Sequence, residues 1–349
     1  MESLYQKPLG LETTVLMRKM DCIRGRQELS SGGMRKILMM GAFGIVFLGM
    51  VKARSGDASA PRHADLQEEL NIIVSEVLAQ FADKKLESNQ LAVTVIDLTE
   101  VSKARSASFR GDVPIYPASV VKLFYLAAAH EWMEKGKLND SEELRRAMKD
   151  MIVQSYNEAT HYVLDATTET TGGPELPADD MKEWIEKRNA VNRHFLSIGY
   201  TNINVNQKPW CEGPYGRERI FVGKNFENRN ALTTDATARL LAEIVERRCV
   251  SKERSEQMLE LLKRDPSRKA SKDDQATDFI ARALKPGAKL WSKAGWTSTA
   301  RHDAAFVELP DGTRAVIVIF TTGHANEGEI LPALAGKVLG ALAKQPSGG

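Results

Sequence analysis

The first periodic pattern along the chain is ADLQEELNIIVSEVLAQFADKK, at residues 64–85. Six apolar residues recur there at helical spacing: Leu66, Leu70, Ile73, Val74, Val77 and Leu78. This period predicts a helix with one buried face. The β-branched residues of the next segment, QLAVTVIDLT, predict a strand, and SASFRGD is the expected return strand of a hairpin.

The middle of the chain, from Pro117 to about Arg247, carries mostly helical patterns. TTDATARLLAEIVERR predicts an amphipathic helix that is capped by Thr234 or Asp235. Two stretches rich in Gly, Pro and Asn are expected to be irregular: TTETTGGPELPADD and NQKPWCEGPYGRERIFVGKNFENRN. This part of the chain is therefore predicted to be an all-helical lobe with long loops.

Near the C-terminus the pattern changes from helix to strand. AKLWSKAG, DAAFVEL and RAVIVIFTTG predict three strands, and PDGT is a favourable tight turn between the last two. NEGEILPALAGKVLGALAK then predicts a closing helix. Strands at both ends with helices between them predict an α/β protein of the α+β type. One antiparallel sheet, built from N- and C-terminal segments and flanked by helices, would meet the inserted helical lobe in a cleft.

The N-terminal 60 residues differ from the rest. Arg35 and Lys36, the apolar run 37–51 and the sequence ASA match the charged start, apolar core and cleavage end of a secretory signal. The run is short for a membrane span of about 20 residues. We therefore expect an extra or non-native extension at 1–33, a signal peptide at 34–60, and a periplasmic or secreted product without a stable membrane span. An uncleaved N-terminal anchor is the alternative.

Composition excludes several classes of function. The chain has 349 residues, of which 48 are basic and 46 acidic, so its net charge of +2 indicates no nucleic-acid partner. Three cysteines without metal-type spacing and six scattered histidines indicate no metal or organic cofactor. Cys211 and Cys249 are able to pair in an oxidising compartment, and the sequence leaves that question open.

The segment PASVVKLFYLAAAH, at residues 117–130, carries the first candidate chemistry. Ser119 and Lys122 stand three residues apart, which is one turn of a helix. A lysine in apolar surroundings has a lowered pKa and is able to act as a base towards a serine. The alternative is that Ser119 caps the helix and Lys122 reaches the surface. However, a helix that is apolar all round is buried, so its ammonium group needs acceptors from elsewhere in the chain.

Two later segments supply candidate partners for Lys122. QSYNEAT brings Ser155 and Asn157 together near a helix N-terminus, where a hydroxyl would relay a proton and an amide would hold a lysine. KLWSKAGWTS puts Lys293 at the end of a strand, followed by small residues that would let a substrate backbone lie along the strand edge. Each segment alone is a weak signal.

In this order the three segments resemble the S-x-x-K, S-D-N and K-T-G motifs of the penicillin-recognising serine hydrolases, most closely the class A β-lactamases. LKPGAKLWSKAGWTSTARHDAAFVELPDGTRAVIVIF is also similar to that family's strand and hairpin around K-T-G. The resemblance covers about residues 66–344. It implies a β-lactamase/transpeptidase-like catalytic domain at 61–349, with a sheet lobe at 61–113 and 286–349 and a helical lobe at 114–285.

The resemblance also implies a role for each matching residue. Ser119 would be the acylated nucleophile, Lys122 its base or proton shuttle, and Ser155 the relay that gives a proton to the leaving nitrogen. Four positions would bind the substrate: Asn157, Lys293, Gly295 and Trp296. Lys293 would attract a substrate carboxylate, and the backbone N–H groups of Trp296 and Ser119 would form the oxyanion hole.

Three features depart from the family's pattern. Tyr156 stands in place of the aspartate of S-D-N, and Ala294 in place of the threonine of K-T-G. The interval between Ser119 and Ser155 is shorter than in class A enzymes. The family's deacylating glutamate lies in a loop after S-D-N, and Glu212 is its candidate here, with Glu218 as a weaker choice.

With a carboxylate in that loop, we expect an exported serine hydrolase that opens β-lactam amides through acyl-Ser119 and uses no cofactor. The first alternative is a D-alanyl-D-alanine peptidase, penicillin-binding protein or esterase that deacylates slowly. The second alternative is a non-catalytic exported binding protein of the same fold. The expected partner is a small molecule, either a β-lactam or an acyl-D-Ala-type peptide.

Overall fold

A computed structural model describes residues 66–210 and 213–343 of the chain. Within these residues six strands form one sheet: β1 Leu91–Asp97, β2 Arg105–Phe109, β3 Lys263–Arg264, β4 Lys289–Trp296, β5 Ala300–Glu308 and β6 Arg314–Thr322. Their spatial order is β2-β1-β6-β5-β4-β3, and every neighbouring pair is antiparallel. The predicted extension 1–33 and signal peptide 34–60 lie outside the described residues and stay predictions.

The same residues contain ten α-helices: α1 Leu66–Gln80, α2 Lys122–Glu134, α3 Glu142–Lys149, α4 Asn157–Thr168, α5 Ala178–Arg188, α6 Ala190–Ser197, α7 Gly216–Val222, α8 Thr234–Val245, α9 Lys252–Leu262 and α10 Ile330–Ala343. The prediction of an α+β fold with an antiparallel sheet built from both ends of the chain is confirmed. No helix in the described part of the chain is both long enough and apolar enough to cross a membrane.

The sheet separates two hydrophobic cores, which explains the uninterrupted apolar run of β6. Successive side chains of a strand point to opposite faces. Ile317 and Ile319 therefore pack with α1 and α10, while Val318 and Phe320 pack with the helices of the opposite face. Both faces are covered, so the strand has no polar alternation.

Helix α2 lies inside the core on the sheet face opposite α1 and α10. Every residue from Lys122 to His130 is buried, and Phe124 packs edge-on against the rings of Phe195 and Tyr200. Helix α8 also lies between the sheet and the other helices, against β1 and β6. The apolar character of α2 on all sides is the consequence of this central position.

Four local features differ from the expectations. Helix α8 is capped by Thr233, whose side chain accepts from the Ala236 N–H, and not by Thr234 or Asp235. The stretch expected to be irregular after residue 205 contains α7, a short helix whose N-cap residue Tyr215 makes no side-chain cap hydrogen bond, so the usual start signal is absent. The two-residue strand β3 is too short to produce a period. Strand β5 begins at Ala300, three residues before the predicted segment.

Candidate active site

Ser119 and Lys122 lie on one face where a tight turn passes into α2. Residues Ala118–Val121 form a 3₁₀ turn, and Lys122 is the first residue of α2. A 3₁₀ turn has three residues per turn, so positions i and i+3 eclipse each other. Ser119 is partly exposed, whereas Lys122 is fully buried. The nucleophile candidate is thus partly exposed and lies one turn before a fully buried amine.

Three acceptors of the Lys122 ammonium group come from the QSYNEAT segment. Lys122 Nζ donates to the Ser155 carbonyl oxygen at 2.6 Å, to Ser155 Oγ at 3.2 Å and to Asn157 Oδ1 at 2.9 Å. All three acceptors are neutral, and two of them come from a single residue. The structure therefore brings two of the predicted site residues, Ser155 and Asn157, to the amine of a third, Lys122.

The backbone around Ser155 makes this convergence possible. A π-helical turn, Asp150–Gln154, ends at Ser155, which adopts a left-handed conformation with φ 59°. The chain then starts α4 at Asn157, so the direction changes sharply within two residues. Non-glycine residues adopt this conformation at a cost and do so most often at functional sites. The turn aims the carbonyl and the hydroxyl of one residue at the same amine.

Lys293 reaches the same hydroxyl from the sheet. Lys293 Nζ donates to Ser155 Oγ at 2.9 Å, to Gln275 Oε1 at 2.7 Å and to the Ala294 carbonyl oxygen at 2.8 Å. Burial, followed by the positive charges of Lys122 and Arg264, holds the pKa of Lys293 well below its usual value. One serine hydroxyl thus lies between two buried amines.

Gly295 brings the end of β4 against the Ser119 turn. A Cβ built on Gly295 would lie 2.8 Å from the Ser119 amide nitrogen and 2.8 Å from the Pro117 carbonyl oxygen. The Ser119 turn therefore leaves room only for a glycine at position 295 of β4. Trp296, the last residue of the strand, is 38% exposed, and its ring packs against Phe279.

The N–H of Trp296 points to the outer edge of β4. The Ala294 N–H donates to Gln275 Oε1 at 3.0 Å, which is on the side of the strand away from β5. Alternate residues of an antiparallel strand direct their N–H groups to the same side. The N–H two residues further on, at Trp296, is therefore directed to that same side, beside the turn that carries Ser119.

One face of α4 connects the Lys122 acceptor to the loop that leads to Glu212. Asn157, His161 and Asp165 follow each other at four-residue intervals, so they share a face. The Pro209 carbonyl oxygen accepts from His161 Nε2 at 2.6 Å, and Asp165 Oδ2 accepts from Lys208 Nζ at 2.6 Å. Burial lowers the pKa of His161. The loop is thus tied to α4 at two successive residues.

Glu212 and Cys211 lie outside the described residues, so the candidate deacylating carboxylate stays a prediction. The sequence left open whether Cys211 pairs with Cys249, and Cys249 is a buried free cysteine in the structure. The weaker candidate, Glu218, is buried and bound to Arg188 at 2.9 Å and to Lys208 at 3.3 Å. Arg188 also pairs with Asp165 at 2.8 Å. The Glu218 carboxylate is therefore part of an ion cluster that fixes the loop.

The model of the Beta-lactamase enzyme family matches residues 73–341. The chain belongs to this family. Comparison with curated proteins gives no match. Among solved structures, a mutant of PBP-A, as its acyl-enzyme complex with penicillin-G, is 17% identical, with a TM-score of 0.56 over 79% of this chain and 98% of that chain.

Two further solved structures have the same fold. A β-lactamase from Sphaerobacter thermophilus is 18% identical, with a TM-score of 0.55 over 78% of this chain and 98% of that chain. A β-lactamase from Chitinophaga pinensis is 18% identical, with a TM-score of 0.57 over 78% of this chain and 99% of that chain. At this identity the likeness establishes a β-lactamase or penicillin-binding-protein fold.

Sequence reasoning missed three residues that support this β-lactamase-family site. Gln275 binds both Lys293 and the Ala294 N–H, and it lies in a polar segment without periodicity. His161 holds the loop before Glu212. His302, in β5, accepts from the Thr321 N–H through Nδ1, so its Nε2 donates to the Tyr116 carbonyl oxygen at 2.9 Å.

His302 had a weak signal in the sequence, as a histidine inside an apolar strand, and burial lowers its pKa to about 4. The other two had none, because their contacts depend on the tertiary fold. Within the described ranges, no group of three or more His, Cys, Asp or Glu side chains is arranged to hold a metal ion.

Proposed function

We propose that this member of the β-lactamase family is a serine hydrolase that opens β-lactam amides through an acyl-Ser119 intermediate. The observation that carries this proposal is the Ser155 hydroxyl between the amines of Lys122 and Lys293, at 3.2 Å and 2.9 Å. A hydroxyl between two amines is suited to passing a proton from the nucleophile to a leaving nitrogen. The partly exposed Ser119, one turn from Lys122, supplies that nucleophile.

In the acylation step, Ser119 Oγ attacks the β-lactam carbonyl carbon and its proton passes to the Lys122 amine, which acts as the base in its unprotonated form. The oxyanion forms beside the N–H groups of Ser119 and Trp296, and one such donor is typically worth about 2.7–4 kcal/mol of barrier. As the carbonyl–nitrogen bond breaks, Ser155 gives its hydroxyl proton to the ring nitrogen. Ser155 then regains a proton from Lys122, which returns to its neutral form.

This cycle requires a neutral amine in the resting site. Lys122 and Lys293 are both fully buried and share an acceptor, and charging both would put two ammonium groups around one hydroxyl. Burial disfavours a charged amine, and so does a second positive charge nearby. Burial and the positive charge of Lys122 both lower the pKa of Lys293, so loss of one proton from this pair of amines leaves an amine that is able to act as a base.

Deacylation is assigned to Glu212, which would take a proton from a water molecule as that water attacks the acyl carbonyl carbon. The attack releases Ser119, which recovers its proton, and the product is the ring-opened acid. Support for this assignment comes from the two preceding contacts, of Lys208 with Asp165 and of Pro209 with His161, which hold the loop against α4.

A penicillin-binding protein that deacylates slowly is the second candidate. Tyr156, which replaces the aspartate of S-D-N and is 55% exposed, is the departure that favours it. The PBP-A structure described above was itself solved as an acyl-enzyme complex with penicillin-G. The two candidates share acylation of Ser119 and differ in the lifetime of the adduct.

The decisive experiment is to incubate the protein with benzylpenicillin and to follow intact mass and β-lactam absorbance together. We expect an adduct on Ser119 that turns over, no adduct in Ser119→Ala, and a long-lived adduct in Glu212→Gln. A persistent adduct in the wild-type protein would favour the penicillin-binding protein. No adduct and unchanged absorbance would reject both and leave the non-catalytic binding protein.

Export is a separate part of the proposal. The charged start, apolar run and ASA sequence within residues 34–60 support cleavage after residue 60 and a periplasmic or secreted product. N-terminal sequencing of the mature protein tests this directly. A mature chain that retains residues 34–60 would favour the membrane-anchored alternative.

A further inference from the structure

A cavity of about 540 Å³ lies next to the proposed site, on the side of β4 that faces away from β5. Gln154, which precedes Ser155, forms one wall, and Trp296, which ends β4, forms another. The segment 263–276 supplies most of the remaining lining, including Gln275, which binds Lys293. The cavity therefore begins where the proposed proton donor and the edge of the strand meet.

Positively charged side chains outnumber negatively charged ones in the lining of this cavity. Its lining includes four cations and three acids: Lys263, Arg264, Arg268, Lys272, Asp265, Asp273 and Asp274. Two of the acids are paired: Asp273 with the buried Arg301 at 2.9 Å, and Asp274 with Arg268 at 3.6 Å. Asp265 accepts from the Ser267 hydroxyl at 2.6 Å and keeps its charge. Among the described residues, Lys263, Arg264 and Lys272 have no carboxylate within ion-pair distance, so the lining keeps an excess of positive charge.

Arg264 adds a partly buried charge that no carboxylate neutralises by direct contact in the described part of the chain. Its guanidinium donates to backbone carbonyl oxygens, including those of Ser292 at 2.8 Å and Ile152 at 3.1 Å. Its Nε is buried without a hydrogen-bond partner. Charges that are withdrawn from water attract an anion more strongly than exposed ones do.

We propose that this cavity receives the leaving-group side of the substrate and selects leaving groups that carry an anionic substituent, such as a sulfonate or a second carboxylate. This inference rests on the proposed function, in which Ser155 protonates the leaving nitrogen. The carboxylate next to that nitrogen would meet Lys293. The additional anion would extend past Gln154 towards Arg268 and Lys272 on the segment 263–276.

The test uses two cephalosporins with the same acyl side chain and the same ring carboxylate. Their C3 substituents are tetrazolylthiomethyl groups, N-methylated in one compound and bearing an N-methanesulfonate in the other. The measured quantity is the ratio of the second-order acylation rate constants, anionic over neutral. We expect a ratio of at least about five at low salt, since a single exposed charge pair contributes a factor of about two to five.

Arg268→Gln and Lys272→Gln change exposed side chains, and each should lower this ratio, with the double variant near one. Lys285→Gln, at an exposed lysine outside the cavity lining, is the matched control and should keep the wild-type ratio. High salt should reduce the wild-type ratio because the Debye length falls from about 8 Å at physiological ionic strength to about 3 Å at 1 M.

A wild-type ratio near one, or a high ratio that survives the double substitution, would overturn this inference while the proposed function stands. Acylation of Ser119 by neither compound would instead reject the proposed function, and this inference with it. The two failures are therefore distinguishable in one set of measurements.

Discussion

Gly295 and Ser119 are in direct backbone contact: a Cβ on Gly295 would stand 2.8 Å from the Ser119 nitrogen and 2.9 Å from that of Val120. Real Cβ atoms do not approach backbone atoms so closely, and backbone cannot rotate away as a side chain can. The last residues of β4 therefore fix the position of the turn that carries Ser119.

Gly295→Ala should lower the acylation rate constant by about 10²-fold, because displacements of about 1 Å at a reacting centre have that effect. The free energy of unfolding should fall by about 1–3 kcal/mol, the usual cost of overpacking. Stopped-flow acylation and urea unfolding measure the two quantities.

Gly340→Ala is the matched control, since its added Cβ meets nothing within 4 Å and it lies in α10, so it should stabilise slightly. Equal acylation rates in both variants would contradict the role of the contact.

Lys122→Met should abolish most acylation while the protein stays folded. Loss of a general base typically costs about 10²–10⁴ in rate. The Ser155 carbonyl and Asn157 Oδ1 each lose a hydrogen-bond donor, which lowers the free energy of unfolding by about 1–3 kcal/mol for a buried group. Intact-mass kinetics and circular dichroism separate the two effects. Lys135→Met, at an exposed lysine just after α2, should acylate normally. A wild-type acylation rate in Lys122→Met would exclude Lys122 as the base.

Glu218→Gln should destabilise the protein by about 3–5 kcal/mol, because it leaves Arg188 and Lys208 buried with one carboxylate fewer. Urea denaturation is the measurement, and Glu183→Gln, in an exposed pair with Lys187, should change stability by about 0–1 kcal/mol. The adduct on Ser119 should turn over in the Glu218 variant. A trapped adduct at wild-type stability would move the deacylating role from Glu212 to Glu218.

Asp303→Asn should stabilise the protein more at pH 8 than at pH 4. Burial raises the pKa of Asp303 to about 7, against 3.8 for the ordinary group. The folded state therefore binds a proton that the unfolded state has lost, and the stability of the wild-type protein falls as pH rises from about 4 to about 7. At 1.36 kcal/mol per pKa unit the full difference is about 4 kcal/mol.

An asparagine keeps an acceptor for the Ile280 N–H, which now bonds to Asp303 Oδ2 at 3.2 Å. Thermal unfolding of both proteins across pH 4–8 gives the difference directly. A stabilisation that is the same at pH 4 and pH 8 would mean that Asp303 ionises normally in the folded protein.

The fold was largely predictable because its elements are long and periodic. The continuous apolar run RAVIVIF became a strand covered on both faces, and the apolar segment around Phe124 became a central helix. The burial of Lys122 followed from its neighbours, and the need for acceptors from elsewhere in the chain followed from burial. These inferences depend on local composition, which the sequence records directly.

The contacts around Lys293 were not predictable in the same way. Gln275 meets Lys293 because the segment 263–276 folds back along the edge of β4, and no local pattern encodes that path. The bond from His161 to the Pro209 carbonyl likewise joins residues that are far apart in sequence and lie in polar surroundings. Short elements such as β3 and α7 are also set by tertiary packing more than by their own sequence.

The side chain of Gln275 has a consequence for the length of a possible ligand. Strand β3 pairs with only two residues of β4, Trp291 and Leu290, and Gln275 takes the next position by accepting the Ala294 N–H. A peptide that paired with this edge would find its first open backbone N–H at Trp296. Directly after Trp296 the protein turns towards β5, and the Thr297 N–H donates to the Ala300 carbonyl oxygen. This edge of the sheet therefore leaves one open ladder position, which is too short for edge-to-edge pairing with an extended strand of another copy.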